Sequence, residues 1–193
     1  MGRWEPNARG RLEQAALELY VERGYEQTPV AEITKRAGLT ERTFFRHFAD
    51  KREVLFAGSS MLEELCADAV AAAPATAAPM TAVAAALDAA AGVFEERGEL
   101  VGLRQSVIDA NAELRERELI KLASLSGALA DALRERGVDE LGAWLTAEAA
   151  IAVLKVGFRR WIDGGRERPL RPLLAECFDV LRTASAQGAV GAG

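Results

Sequence analysis

Leu12, Ala15, Ala16, Leu19 and Tyr20 recur at three- and four-residue spacing, which predicts an amphipathic helix over residues 8 to 23, with Asn7 as N-cap and Gly24 as its terminating glycine. Thr28 before Pro29 reads as the N-cap and first-turn proline of a second helix, given a two-turn buried side by Val30, Ile33 and Ala37. Gly38 breaks it, and Leu39 points inward. Thr40 caps a third short helix, 41 to 47, with Phe44 and Phe48 four apart on the buried side. Two short helices across a glycine-containing three-residue turn make a helix-turn-helix. Asp50 is placed to cap a long fourth helix over 51 to 72, and Pro74 and Pro79 mark a break over 73 to 80.

Beyond the break, the same periodicity predicts helices at 81 to 97 (ended by Gly98), 100 to 110, 112 to 136 (capped by Asn111, stopped by Gly137), 140 to 163 (capped by Asp139, stopped by Gly164 and Gly165) and 170 to 187. No strand-like alternation or internal repeat interrupts them. The fold expected is all-α with about nine helices: an N-terminal three-helix helix-turn-helix domain over 1–50 and a C-terminal helical bundle over 51–193. The helix at 140 to 163 is apolar on two sides. One side carries Ala147, Ile151, Leu154, Phe158, Trp161 and Ile162; the other carries Leu145, Ala149, Val153, Val156 and Gly157. One such side serves a core and the second needs another partner. The last helix is similarly broad, so Leu145, Ala149, Val153, Val156, Gly157, Leu174, Phe178 and Leu181 are expected to form half of a four-helix homodimer interface.

Composition agrees with helix. Half the 193 residues are apolar, 6% are aromatic, and alanine makes up roughly a fifth of the chain. The charge-free run between Asp68 and Asp88 is mostly alanine with two prolines, so it is expected to be a helix end, a linker and a helix start, not a membrane span. The first residues hold no apolar stretch before Arg9 and Arg11, unlike a signal peptide, and a cytoplasmic protein is expected. Cys66 and Cys177 stand apart on apolar stripes and are expected to be reduced core thiols. A single histidine, His47, excludes a His-based metal site, and Gly-rich phosphate loops are absent, so neither a metal nor a cofactor is expected.

Charge is uneven. Ten Lys/Arg face eight Asp/Glu in the first 52 residues, against 14 and 21 in the remainder. Residues 35 to 52 hold six cations and only Glu41 and Asp50 as anions, a local +4 on a protein of net −5. Such a basic face suits a polyanion.

The run ERGYEQTPVAEITKRAGLTERTFFRHFADKREVLF, residues 22 to 56, resembles the DNA-binding domain of the TetR family of bacterial transcriptional repressors. The likeness rests on Gly24 and Tyr25, Thr28, the turn from Ile33 to Leu39, Thr43, the Phe44-Phe45 pair, His47, Phe48 and Lys51. ELREREL at 113 to 119 and RRW at 159 to 161 are similar to an actinobacterial subgroup that includes mycofactocin-associated regulators. Two positions depart from the family pattern. Thr34 replaces the usual alanine, which is tolerable if its hydroxyl bonds back to the carbonyl four residues earlier. Phe45 replaces a common tyrosine and exchanges a phenolic phosphate contact for an apolar one, such as a thymine methyl.

A recognition helix presents its N-terminal and outward residues to the major groove, so Thr40, Glu41, Arg42, Thr43, Phe45, Arg46 and His47 form the expected reading surface. Arg42 suits bidentate contact with guanine, and Glu41 suits the amino group of cytosine. Thr28, Thr43, His47 and Lys51 fit phosphate contacts, helped by the N-termini of the second and fourth helices. Arg3, Arg9 and Arg11 are in reach of the backbone or minor groove.

The resemblance implies a repressor that leaves a palindromic double-stranded operator when a small apolar or amphipathic effector enters the C-terminal domain. Met61, Phe94, Leu103, Arg104, Val107, Leu125, Trp144, Phe158 and Trp161 are the pocket candidates, although at helical spacing such side chains also suit a plain core. Two other readings stand beside it: a helix-turn-helix regulator gated by a protein partner or constitutive, and a helical small-molecule carrier or enzyme. The last needs a catalytic constellation that the chain does not show.

Overall fold

The structure is a computed structural model and describes residues 7–187. The described residues form nine α-helices and no strand: α1 Ala8–Arg23, α2 Val30–Ala37, α3 Glu41–His47, α4 Ser59–Ala72, α5 Pro79–Glu96, α6 Gly98–Asp109, α7 Ala112–Glu135, α8 Glu140–Asp163 and α9 Leu170–Gln187. A 3-10 turn, Glu53–Phe56, lies between α3 and α4.

Several caps form where the sequence places them. The Asn7 side chain accepts from the Gly10 amide, Thr40 Oγ1 from Thr43 at 3.2 Å and Asp139 Oδ1 from Gly142 at 3.0 Å. Gly38 ends α2 in the left-handed region at φ 65°, where a side chain would be strained. Other details differ. Pro29, not Thr28, is the residue flanking α2. The Asn111 side chain donates back to the Val107 carbonyl at 2.6 Å and serves the end of α6, while its backbone carbonyl accepts from the Arg115 amide at 3.1 Å in the first turn of α7. Gly98 opens α6, and Arg97 follows the end of α5.

The long helix expected over 51 to 72 is broken. Val54, Leu55 and Phe56 are all buried, and three successive buried residues cannot share one face of an α-helix. The chain rolls through the 3-10 turn to bury them and starts α4 only at Ser59. Asp50 still caps, but it caps the turn: Oδ1 accepts from the Arg52 and Glu53 amides at 2.8 and 3.2 Å.

The chain forms two compact units, and their composition differs from a single division at residue 50. The first comprises Met1–Gly58 with Glu99–Lys121, the second Ser59–Gly98 with Leu122–Gly193. In the first, Leu12, Leu19, Tyr20, Ile33 and Phe44 pack with Val107, Ile108 and Leu114, so α6 and the start of α7 complete the helix-turn-helix core. Thr34 is buried there, its hydroxyl donating to the Ala31 carbonyl three residues back at 3.0 Å, which removes the problem of a polar group in that crossing.

In the second unit, α5 buries a stripe of small residues, Ala82, Val83, Ala86, Ala90 and Ala91, and packs on α4, α8 and α9. Arg136 closes the end of α4 by donating to the carbonyls of Val70, Ala73 and Pro74 at 2.7–3.1 Å. Helices α8 and α9 meet at Gly157, where an added Cβ would lie 2.6 Å from Leu174 Cδ2. Helix α8 is long and apolar enough to cross a bilayer by composition alone. Its apolar length is explained without one: eight residues lie in the unit's core, and Glu148, Lys155, Arg159 and Arg160 stud the exposed side.

This packing revises the expected dimer face. Val153, Gly157, Leu174 and Phe178 are buried inside the protomer, and Ala149 and Leu181 are half-buried. Only Leu145 and Val156 of that set are exposed, and Leu141, Trp144, Ala152 and Val180 join them. Cys66 is a buried free thiol whose pKa burial pushes up to about 12, as expected of a core residue. Cys177 is only half-buried, with an Arg160 nitrogen 4.0 Å from its sulfur, so it is not a core thiol.

Candidate nucleic-acid interface

Helix α3 is held from behind by Phe44, fully buried, with its ring 5.4 Å from those of Phe45 and Phe48. The buried pair fixes which side of α3 faces out. On that side Thr40, Glu41, Arg42, Phe45, Arg46 and His47 are exposed, and Thr43 is half-buried. The structure thus brings seven of the nine expected contact residues onto one surface. Phe45 is 55% exposed, an apolar ring on an otherwise polar surface. The hydroxyls of Thr40 and Thr43 lie 3.1 Å apart and share one hydrogen.

Thr28 does not belong to this surface. It is fully buried, and its hydroxyl donates to the Gly24 carbonyl at 2.8 Å, closing the turn between α1 and α2. Lys51 has a different task from the one expected. Its ammonium sits 4.2 Å over the Tyr25 ring and donates to the Tyr25, Glu26 and Thr28 carbonyls at 3.0, 3.4 and 3.5 Å. It clamps the α1–α2 turn, and its three donors are used inside the protein. The dipole expected from a fourth helix at this point is also missing, since α4 begins eight residues later.

The N-terminal arginines are likewise engaged. Arg9 donates to the Ala57 carbonyl and Arg11 to the Ala37 carbonyl at the end of α2. Arg3 lies outside the described residues.

The remaining charges sort in the same way. Arg36 grips Glu22 through two bonds of 2.9 and 2.8 Å and reaches Glu18 at 3.4 Å. Its pKa is raised chiefly by the hydrogen bond to Glu22, and the Glu22 carboxyl is lowered chiefly by the same bond. Arg23 pairs with Glu32 and Arg52 with Asp50. Arg104, Arg115, Arg117 and Lys121 are also held by carbonyls or carboxylates. Among the described residues of the first unit, only Lys35, Arg42 and Arg46 have neither, and all three are exposed on α2 or α3. Spacing does not mark Lys35 out from the other cations of residues 35 to 52; being the one cation of α2 without a carboxylate is its signal.

The expected pocket residues are divided. Leu103, Arg104 and Val107 belong to the first unit, where Arg104 donates to the Leu55 carbonyl at 2.6 Å, with its guanidinium 4.9 Å from the Phe56 ring. It is a structural cation, not a free counter-charge for a ligand. A concavity of about 340 Å³ between the α1–α2 turn and the end of α6 includes Tyr20, Tyr25, Val107 and Asn111. In the second unit, Phe94, Phe158 and Trp161 form an aromatic chain with ring separations of 5.4 and 5.8 Å. Leu125 and Trp161 are buried, whereas Met61 and Trp144 are exposed. Of the expected pocket residues in the second unit, these three rings are the ones that touch one another.

Residues 13–57 match the family described as "Bacterial regulatory proteins, tetR family", and residues 77–186 match the family described as "MftR C-terminal domain". The ELREREL and RRW segments both fall inside the second match. The HTH-type transcriptional regulator TcmR of Streptomyces glaucescens is 36% identical over 139 residues, covering 68% of this chain and 61% of TcmR. Solved structures share the fold. The transcriptional regulator FadR from Bacillus subtilis in complex with stearoyl-CoA gives a TM-score of 0.63 at 20% identity, covering 89% of this chain and 96% of FadR. A SmeT–triclosan complex gives 0.64 at 19% identity, covering 90% of each chain.

Proposed function

Since the chain belongs to the TetR family of bacterial regulatory proteins, we propose that it is a cytoplasmic, homodimeric repressor that grips a palindromic operator with two copies of α3 and releases it when a small apolar or amphipathic molecule enters the second unit. The observation that carries this reading is the segregation of charge. Ten of the thirteen described Lys/Arg of the first unit are held by carbonyls or carboxylates within it, and the three left over are exposed on α2 and α3, the helix that also carries the exposed His47. Cations kept free on one surface suit a polyanion, and their position on a recognition helix suits duplex DNA. Support for the effector is the Phe94–Phe158–Trp161 chain, together with the stearoyl-CoA and triclosan held by proteins of the same fold.

Contacts to about three to five phosphates per subunit imply a log K against log[salt] slope on the order of −5 to −9 for the dimer. Selection of bound fragments from genomic DNA, followed by fluorescence anisotropy across a salt series, checks this. A two-fold symmetric motif with that slope is the expected result; no enriched motif and a flat salt response exclude the reading.

The dimer uses the exposed side of α8 with the outer side of α9. Val156→Arg or Leu145→Arg places a charge on that face and is expected to give a monomer in sedimentation with helix content unchanged. Val153→Arg differs, because Val153 is buried in the protomer and its replacement unfolds the second unit. A Val156→Arg protein that stays dimeric at wild-type affinity assigns the interface elsewhere.

A further inference from the structure

Phe45 is the one residue of the reading surface whose side chain carries no polar group. It is the fifth residue of α3 and 55% exposed, among Glu41, Arg42, Arg46 and His47, all exposed and polar. Its ring meets the buried Phe44 ring near the perpendicular, with centroids 5.4 Å apart and planes at 80°, and Phe44 in turn packs on Phe48. The Phe45 ring is therefore braced from the protein side and open on the other. Glu41 and Arg42 stand four and three residues before it, so the three side chains make one continuous patch. That patch offers an acceptor, a fork of donors and an apolar face. Covering the ring with DNA sets a condition on the DNA. A phosphate oxygen, or a carbonyl, amino group or ring nitrogen of a base edge, loses its water against a phenyl ring and gains no hydrogen bond in return. The major groove has one apolar group to offer, the methyl on C5 of thymine. 5-Methylcytosine carries the same methyl on the same ring carbon. Beside it thymine has a carbonyl and cytosine an amino group, a difference to which a phenyl ring is blind.

We propose that Phe45 reads the C5-methyl group of a pyrimidine and not a particular base, so that 5-methylcytosine replaces thymine at that operator position and methylation of a cytosine there strengthens binding; this rests on the DNA-binding reading above. A helical turn of about 5.4 Å, against a base-pair rise of about 3.4 Å, puts the methyl within about two base pairs of the base that Arg42 contacts. Operator occupancy then responds to a chemical mark on the DNA as well as to its sequence.

The test replaces each thymine of the selected operator in turn by uracil, symmetrically in both half-sites, which removes a methyl and leaves every hydrogen-bonding group in place. Wild type is expected to lose about fourfold in affinity per half-site at one position, or roughly fifteenfold for the symmetric pair, the worth of one buried methyl in each. Phe45→Ala should lose less than about twofold there. Cytosine and then 5-methylcytosine at the same position vary the methyl alone on a second base. Wild type should regain about fourfold per half-site on methylation, and Phe45→Ala nothing. If Phe45→Ala does not fold, Phe45→Gln, whose side chain suits an exposed helical position, decides by the same comparison. A wild type indifferent to uracil at every position overturns the methyl reading. An equal uracil loss in the folded variants gives the methyl to another side chain and overturns the role of Phe45. A Phe45-dependent uracil loss with no gain from 5-methylcytosine over cytosine ties the contact to thymine and overturns the response to methylation. A wild type that selects no two-fold symmetric motif overturns the DNA-binding reading and this proposal with it.

Discussion

Arg42→Ala is expected to lower operator affinity by about 1 to 3 kcal/mol per half-site, a loss that two-fold symmetry doubles in the dimer. Arg42 is the second residue of α3, exposed, and held by no carboxylate although Glu41 is its neighbour. A guanidinium so placed keeps its fork of donors available for O6 and N7 of a guanine. Removing it should flatten preference at one symmetric pair of operator positions, while non-specific binding falls only by the lost charge. Binding-site selection with the variant decides the matter. A motif as sharp as wild type at every position reduces Arg42 to a backbone contact, and Arg46, the other free arginine of α3, becomes the base-reading residue to replace next.

Phe44→Ala should be the most damaging single change to the reading head. The ring is wholly buried against Phe45 and Phe48, in a core shared by α1, the 3-10 turn, α6 and the start of α7. Truncating a buried phenylalanine costs about 3 to 5 kcal/mol, which is a large share of the ~5 to 15 kcal/mol that typically holds a domain folded. In a unit this small the melting temperature should fall by about 10 °C or more. Phe45→Ala is the matched control: half-exposed, it should change stability little and act on DNA affinity instead. Thermal unfolding of the two variants checks the assignment, and equal melting temperatures would falsify it.

Much of this fold is legible in the chain because it depends on neighbours in sequence. The caps at Asn7, Thr40 and Asp139 join a side chain to an amide three residues on, and the bounds of α8 and α9 follow from periodicity and flanking glycines. The outward set on α3 is fixed by Phe44 and Phe48 alone, since the helical repeat dictates what lies opposite them.

Tertiary structure decided what depends on distant groups. Periodicity shows that α8 has two apolar sides; only its packing on α9 shows that Val153 and Gly157 are occupied within the protomer and Val156 is not. Nothing local distinguishes Lys51 from Lys35, both cations near short helices. The α1–α2 turn places three carbonyls under the first, whereas the second, exposed, has no hydrogen bond or ion pair among the described residues. Thr28 looks like a cap until the Gly24 carbonyl takes its hydroxyl. The 3-10 turn follows from three buried residues in a row, but that all three are buried is set by the core they join, built from α1 and from the α6–α7 segment, which enters the head from more than forty residues away. The sequence thus determined which side chains could meet a nucleic acid, through local geometry. The fold determined which of their charges were left free to do so, because most of the carbonyls and carboxylates that hold the other cations are remote along the chain.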